Sequence, residues 1–236
     1  MKNLGVLFLV LSLVACTPQE INSVLGTVMG GELTSAEVGS GLKEALNIGI
    51  SKGADRLSST DGYFKSAYKI LLPAEAQKVT EKLRVIPGFE NIENEILKKI
   101  NRGAEDAAKK AKPIFVNAIK KMTFTDAMNI LMGADNSATT YLNNATYNQL
   151  RSEFSPVIIQ SLDKFQARKY WGDLVNKYNQ IPFVKKLNPS LEEHVTQMAL
   201  KGLFTMVEKK EVSIRNNVSE RTSSLLKKVF AKQDNK

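Results

Sequence analysis

Six polar residues in the middle and C-terminal parts of the chain could form either a buried polar network or a ligand site. Asn101 and Glu105 are four residues apart and so share one side of a helix, and Asp126 falls in the first turn of a later predicted helix. Because buried polar groups need partners, such residues can hold helices in register, and they can equally bind a small molecule. The full set is Asn101, Glu105, Asp126, Thr139, Tyr141 and Arg215. We favour the structural interpretation and keep the ligand site as the alternative.

Residue patterns typical of catalytic and metal sites are missing from the sequence. The chain has one histidine, His194, and one cysteine, Cys16, so the paired Glu-x-x-His motifs of di-iron helical proteins cannot form. A serine–histidine pair would need His194, and neither a Gly-x-Ser-x-Gly elbow nor a phosphate-loop glycine spacing is present. We therefore predict no catalytic residue, no metal and no cofactor. We interpret His194 as a partly exposed residue in a first helical turn.

The first sixteen residues have the pattern of a secretory signal that ends in a lipidation site. Met1-Lys2-Asn3 is a basic start, and the mostly apolar run from Leu4 to Ala15 follows it. That run is shorter than the roughly 20 apolar residues that span a bilayer core, but it suits a signal peptide. It ends in Leu13-Val14-Ala15-Cys16, which resembles the lipobox of bacterial lipoproteins. The sequence thus predicts a signal peptide over residues 1–15 and lipid on Cys16.

Two other interpretations of this segment stay open, namely an ordinary signal peptide with a coincidental cysteine and a buried N-terminal helix. Lipidation is favoured because Cys16 has no second cysteine with which to pair. Each buried acyl methylene contributes about 0.8 kcal/mol, so two or three chains attach a protein permanently. Thr17 follows the cysteine, where an aspartate retains lipoproteins in the inner membrane of enteric bacteria. By resemblance to that rule, we predict a cell-envelope location at the outer membrane, facing the periplasm.

The formal net charge of +9 raises nucleic acid and anionic lipid as partners. The lysines are scattered in pairs such as Lys98-Lys99 and Lys227-Lys228, without a run of five basic residues. Aromatic residues are not interleaved with these pairs as a base-stacking surface requires. We therefore expect no nucleic acid. The predicted partners are the membrane, through lipid on Cys16, and an unknown envelope protein or component.

Apolar residues recur at helical spacing along nearly the whole chain, and the alternation typical of strands is nearly absent. Capping-box spacings predict helix starts at Thr34, Thr146 and Ser190. A further helix begins at Thr123 and Asp126, and Gly133 is interpreted as its left-handed C-cap.

Several helix boundaries and one close helix contact also follow from the sequence. One helix is predicted over Phe89 to Ala111, Pro113 ends or kinks it, and a final helix covers Ser219 to Lys232. Gly49 and Gly53 on the inner face of the first helix predict the close approach of another helix.

The domain organisation is predicted to be simple. We see neither a Pro/Gly/Ser-rich linker nor a repeat of fixed period. The sequence predicts a signal peptide over 1–15, a lipidated tether over 16–33, and an all-α, single multi-helix bundle-like domain over 34–236.

A set of short motifs occurs in order along the chain. They are Asp61-Gly62-Tyr63-Phe64, Leu72-Pro73, Asn101-Arg102-Gly103-Ala104-Glu105, Ala111-Lys112-Pro113-Ile114-Phe115, Thr125-Asp126-Ala127 to Gly133, Ala138-Thr139-Thr140-Tyr141, Tyr178 to Phe183, Ala199-Leu200-Lys201-Gly202-Leu203-Phe204 and Ile214-Arg215. Together they closely resemble the domain of unknown function 4197 family over roughly residues 38–232. The resemblance implies an all-helical bacterial domain, often behind a lipoprotein signal, and implies no activity. Lys201 departs from the acidic residue expected in the family pattern, so a role tied to that charge does not carry over.

Two functional hypotheses follow. The first is a non-enzymatic, membrane-anchored domain that binds a protein or another envelope component. The alternative is a small-molecule or lipid-binding pocket, catalytic or not, built on the six polar residues, and it requires their side chains to converge on one solvent-reachable cavity. Lipid handling in an apolar tunnel is a third hypothesis.

Overall fold

The computed structural model describes residues 34–83, 90–164, 167–180, 182–183, 185–188 and 190–231. The predicted signal peptide, Cys16 and the tether lie outside these residues. Where the structure describes the chain, the regular elements are all helices, which confirms the all-α prediction. None of the helices in these ranges combines the length and apolar character needed to cross a membrane.

The helices pack into one multi-helix body. Their bounds are α1 Ser35–Ser58, α2 Ala74–Leu83, α3 Ile92–Ala108, α4 Ala111–Lys121, α5 Phe124–Met132, α6 Ser137–Asp163, α7 Ala167–Asn179, α8 Leu191–Asn216 and α9 Ser224–Phe230, with a 3-10 turn at Val218–Glu220 before α9. The long helix α6 packs against α3 and α8, and α1 lies across α3, α4, α5, α8 and α9. Because α8 contacts α1, α3 and α6, it runs through the middle of the fold.

One hydrophobic core extends from Val38 on α1 to Phe230 on α9. Phe115 of α4 meets Phe204 of α8 edge to face, with ring centroids 5.7 Å apart. The predicted close approach at the α1 glycines is confirmed, since a Cβ on Gly53 would lie 3.0 Å from Met206 Cγ of α8.

Two of the predicted helix starts are confirmed in full. The Thr34 hydroxyl accepts a hydrogen bond from the Glu37 backbone N–H, and the Glu37 carboxylate accepts one from the Thr34 backbone N–H. Thr123 and Asp126 form the same reciprocal arrangement at the start of α5. Each box satisfies backbone donors that a helix N-terminus leaves without partners.

The other capping predictions are wrong in part. Thr146 lies inside α6, where its hydroxyl donates to the Leu142 carbonyl at 2.6 Å, so no helix begins there. Helix α8 does begin after Ser190, but that side chain makes no capping hydrogen bond. Gly133 ends α5 with φ −81°, so it is not a left-handed cap.

Three boundaries also differ from the predictions. The described part of the predicted Phe89 helix runs from Ile92 to Ala108, and the break follows at Lys109 and Lys110. Pro113 therefore sits in the first turn of α4, where a missing N–H costs no helical hydrogen bond. The predicted C-terminal helix is shorter than expected, because Val218–Glu220 forms a separate 3-10 turn and Ser223 caps α9.

Candidate functional site

The structure distributes the six predicted polar residues over three places. Asn101 and Glu105 are buried on α3, where both bind the segment that follows α1. Thr139 and Arg215 meet through Glu211 in a second buried cluster. Asp126 and Tyr141 border a shallow surface depression. The six side chains thus do not converge on one cavity.

Asn101 clamps one residue of the connecting segment through both of its backbone groups. Its side-chain oxygen accepts from the Ile70 N–H at 2.8 Å, and its amide nitrogen donates to the Ile70 carbonyl at 2.9 Å. The same nitrogen donates to the Leu97 carbonyl one turn earlier on α3 at 2.7 Å. Asn101 is fully buried, so these bonds satisfy an amide that would otherwise be costly to bury.

Glu105 binds the same segment nearer to its start, at Tyr63 and Phe64. One carboxylate oxygen accepts from the backbone N–H groups of Tyr63 and Phe64, each at 3.1 Å. The other oxygen accepts from the Arg102 guanidinium, which also pairs with Asp61. Glu105 therefore fixes the turn that reverses the chain after α1.

The geometry of that turn explains the residues at its start. Asp61 has φ 67°, in the left-handed region that aspartate tolerates better than most residues. A Cβ on Gly62 would lie 2.2 Å from the Arg56 carbonyl oxygen, so only glycine fits there. Hydrogen bonds from Lys65 and then Arg102 lower the pKa of Asp61, and the hydrogen bond to Glu105 raises the pKa of Arg102.

Tyr63, which follows this turn, packs in the hydrophobic core. Its side chain is fully buried, and its hydroxyl donates to the Ala199 carbonyl of α8 at 2.7 Å. Burial, and secondarily the negative charge of Glu105, raise the pKa of Tyr63 far above its ordinary value. The phenol consequently stays neutral and acts as a hydrogen-bond donor.

The second cluster centres on Glu211, which the sequence analysis did not single out. Its carboxylate accepts from the backbone N–H groups of Ala138 and Thr139 and from the Thr139 hydroxyl, each at 2.8 Å. It also pairs with Arg215 at 2.8 Å. Glu211 was detectable, since it precedes Arg215 by four residues, the spacing that places an acid and a base on one helix face.

Arg215 and Arg221 both donate to carbonyls at helix ends. Arg215 Nη2 lies 2.8 Å from the Ile130 carbonyl oxygen near the end of α5, and its Nη1 lies 3.3 Å from that of Leu131. Arg221, which the sequence analysis missed, donates to the Ile214 and Arg215 carbonyls at the end of α8. Both guanidinium groups thus serve as C-caps.

A small cavity adjoins the Glu211 cluster. It is lined mainly by apolar residues, among them Leu46, Ile50 and Val207, and its volume is about 20 Å³. That volume admits about one water molecule. This cavity is therefore too small for an organic ligand.

Asp126 and Tyr141 lie near the surface, where both are partly exposed. The Asp126 carboxylate accepts from the Thr123 hydroxyl and backbone N–H, and these hydrogen bonds lower its pKa. Partial burial, and then the charge of Asp126, raise the pKa of Tyr141. Asp126 thus serves as part of the cap of α5.

A larger groove lies between the segment 67–72 and the exposed face of α8, and we call it the α8 groove. Its rim carries Lys69, Lys201 and Lys209, and its volume is about 490 Å³. His194 lies at one end, where Nε2 is 2.8 Å from the Leu71 carbonyl oxygen and so donates to it. His194 is half-buried in the first turn of α8, as the sequence predicts.

The described residues contain no group of three or more histidine, cysteine, aspartate or glutamate side chains that could hold a metal ion. The buried Glu105 and Glu211 each bind two backbone N–H groups and one arginine. Both carboxylates thus bind groups of the fold itself.

The family comparison agrees with the motifs in the sequence. The family model described as "Protein of unknown function (DUF4197)" matches residues 32–231, which covers most of the chain. Searches of curated proteins and of solved structures found no match. The chain therefore belongs to the DUF4197 family of proteins of unknown function.

Proposed function

We propose that the chain is a lipid-anchored, non-enzymatic binding domain of the bacterial cell envelope. The observation that carries the proposal is the role of the buried charges. Glu105 holds the turn after α1, and Glu211 with Arg215 caps two helix ends. A proton transferred to or from these groups would break the contacts that they make within the fold. The buried charges therefore serve the fold, and a partner would bind at the surface of the domain.

The anchor is supported by the sequence at Cys16. Leu13-Val14-Ala15-Cys16 follows an apolar run of signal-peptide length, and Cys16 is the sole cysteine of the chain. A lipidated cysteine would hold the domain permanently at a membrane. Thr17, where an aspartate would retain the protein in the inner membrane, favours the outer membrane and its periplasmic face.

Lipidation is tested by growing cells that express the full-length chain with an alkyne-tagged fatty acid. We expect the wild-type chain to carry the tag and to fractionate with the outer membrane, and we expect Cys16→Ser to carry none. A wild-type chain without the tag, or equal labelling of Cys16→Ser, contradicts the anchor.

The binding role is tested by crosslinking in intact cells, followed by purification of the full-length chain. We expect the wild-type chain to capture a defined envelope component and Cys16→Ser to lose it. Turnover by the purified chain that disappears in Glu105→Gln, with the fold intact, would show that the domain is an enzyme.

The alternative pocket on all six polar residues receives no support from the geometry. Asn101 and Glu105, Thr139 and Arg215, and Asp126 and Tyr141 occupy three separate places. The first two pairs are already bound to the fold, and the third lies at the surface.

A further inference from the structure

We propose that the α8 groove binds the phosphate headgroup of an anionic membrane lipid, and that Lys69, Lys201 and Lys209 bind its charge. The groove is distinct from the two buried clusters. It is formed by the segment 67–72 on one side and by α8 on the other. The inference rests on the proposed function only for the supply of lipid, because an anchored domain lies next to a bilayer.

The charge of the groove is uncompensated. The described residues that line it include three lysines and no carboxylate. Lys69 Nζ lies 4.8 Å from the centroid of the Phe64 ring, and Lys209 Nζ lies 5.2 Å from that of Tyr68. Aromatic faces attract ammonium groups without neutralising them. In the described part of the chain, none of these three lysines pairs with an acid.

The two neighbouring grooves on α8 differ from the α8 groove because each is lined by a carboxylate. Glu208 lines the adjoining groove, which shares Met198, Lys201 and Thr205 with the α8 groove. Glu193 lines the groove near Lys185 and Lys186. A carboxylate in either place repels a phosphate, so the α8 groove is the better site for a lipid headgroup.

The apolar part of the groove fits the first methylenes of a lipid acyl chain, next to the headgroup. Ile70 and Leu72 are buried at its base, and Met198 is half-buried on α8. Leu71 is 53% exposed at the edge. A free phosphate gains nothing from this leucine, whereas the first methylenes of an acyl chain can bury it.

The size of the groove favours a lipid over a protein segment. Its volume of about 490 Å³ falls in the range of about 300–1,000 Å³ typical of small-ligand clefts. A helix about 10 Å across fills that volume with roughly one turn, which is too little for a helix-in-groove interface.

The wall of the groove is held in place before a ligand arrives. Asn101 fixes Ile70 through both backbone groups, and His194 binds the Leu71 carbonyl. Binding then costs little ordering of the segment, which raises affinity. Residues 16–33 extend at most about 60 Å when fully stretched, so an anchored domain remains within reach of the bilayer.

The experiment is native mass spectrometry of the full-length chain in detergent, with phosphatidylglycerol or phosphatidylcholine of identical acyl chains added. Detergent keeps the chain soluble whether or not Cys16 is lipidated, so failure here is separate from failure of the anchor. We expect one phosphatidylglycerol per chain and at least tenfold weaker retention of phosphatidylcholine. The variant Lys69→Gln/Lys201→Gln/Lys209→Gln should lose at least tenfold in phosphatidylglycerol retention.

The matched control is Lys110→Gln/Lys121→Gln/Lys227→Gln, which removes the same charge from exposed lysines outside the groove. It should retain lipid as the wild type does, and Leu71→Ser should weaken retention at unchanged charge. Equal loss in both triple variants, or equal retention of the two lipids, overturns the proposal. So does glycerol phosphate binding as tightly as the lipid, or groove-dependent crosslinking to a protein without lipid retention.

Discussion

Glu211 and Arg215 lie one turn apart on α8, and each caps a different helix. Glu211 accepts from the first backbone N–H groups of α6, and Arg215 donates to the last carbonyls of α5. These charges match the positive and negative ends of the two helix dipoles. One buried ion pair on α8 therefore holds the corner between α5 and α6.

Removal of one member of this pair should be strongly destabilising. Glu211→Gln leaves Arg215 buried without its counter-ion, so we expect the free energy of unfolding to fall by about 3–5 kcal/mol. Urea unfolding followed by circular dichroism measures the change. The double variant Glu211→Gln/Arg215→Met should lose less than the two single variants combined, because no isolated charge remains.

The matched control for this prediction is the exposed pair of Lys109 and Asp106, whose charged atoms are 2.8 Å apart. Asp106→Asn should change stability by less than about 1 kcal/mol, because water screens the pair. Equal effects of Glu211→Gln and Asp106→Asn would contradict the capping role of Glu211.

The Thr34 cap gives the domain an acid-sensitive contact. Hydrogen bonds from Lys228 and then Thr34 lower the pKa of Glu37 from 4.5 to about 2. Since the folded pKa lies below the unfolded one, the stabilisation is complete above pH 4.5 and disappears as the pH falls towards 2. The stability difference between the wild type and Glu37→Gln should shrink over that window.

Urea titrations at several pH values between 6 and 2 measure this difference. Asp135→Asn is a suitable control, since that exposed carboxylate shows no described ion pair. A difference for Glu37→Gln that stays constant down to pH 2 would show that the Lys228 contact does not form in solution.

Replacing either of two glycines in α1 by alanine should change the stability of the domain, in opposite directions at the two positions. A Cβ on Gly39 meets no atom within 4 Å, so Gly39→Ala should stabilise the helix by about 0.5–1 kcal/mol. A Cβ on Gly41 would lie 2.6 Å from Val229 Cγ2, so α9 must shift and Gly41→Ala should cost about 1–3 kcal/mol. Thermal unfolding distinguishes them, and stabilisation by both variants would show that α9 is not packed on Gly41.

The helical class and several boundaries were predictable, because they depend on patterns within a few residues. Thr34 and Thr146 show the limit of such patterns. Both have the capping-box spacing, yet only Thr34 starts a helix, while Thr146 continues α6 by donating to Leu142. The choice depends on packing, since α6 extends through Leu150 and Phe154 between α3 and α8.

For the candidate site, the sequence predicted some of the residues but not the partners that they bind. Asn101 and Glu105 were identified from their spacing, but their partners Ile70 and Tyr63 are 31 and 42 residues away. Local sequence does not encode such distant pairings. The backbone N–H groups that Glu211 binds also lie far away, on α6, and the lysines of the α8 groove come together only in the folded chain.

The last prediction separates a structural role of Asn101 from a direct role in ligand binding. Asn101→Ala removes both hydrogen bonds to Ile70, so backbone amides of residues 67–72 should exchange hydrogen at least tenfold faster, while those of α6 stay protected. Lipid retention by the α8 groove should weaken as well, because its wall is released at unchanged charge. Lys201→Gln should also weaken retention but leave hydrogen exchange unaltered, since that exposed lysine has no described partner. Hydrogen-exchange mass spectrometry of both variants measures this. Unaltered exchange in Asn101→Ala would mean that the segment is fixed by Glu105 and His194 alone.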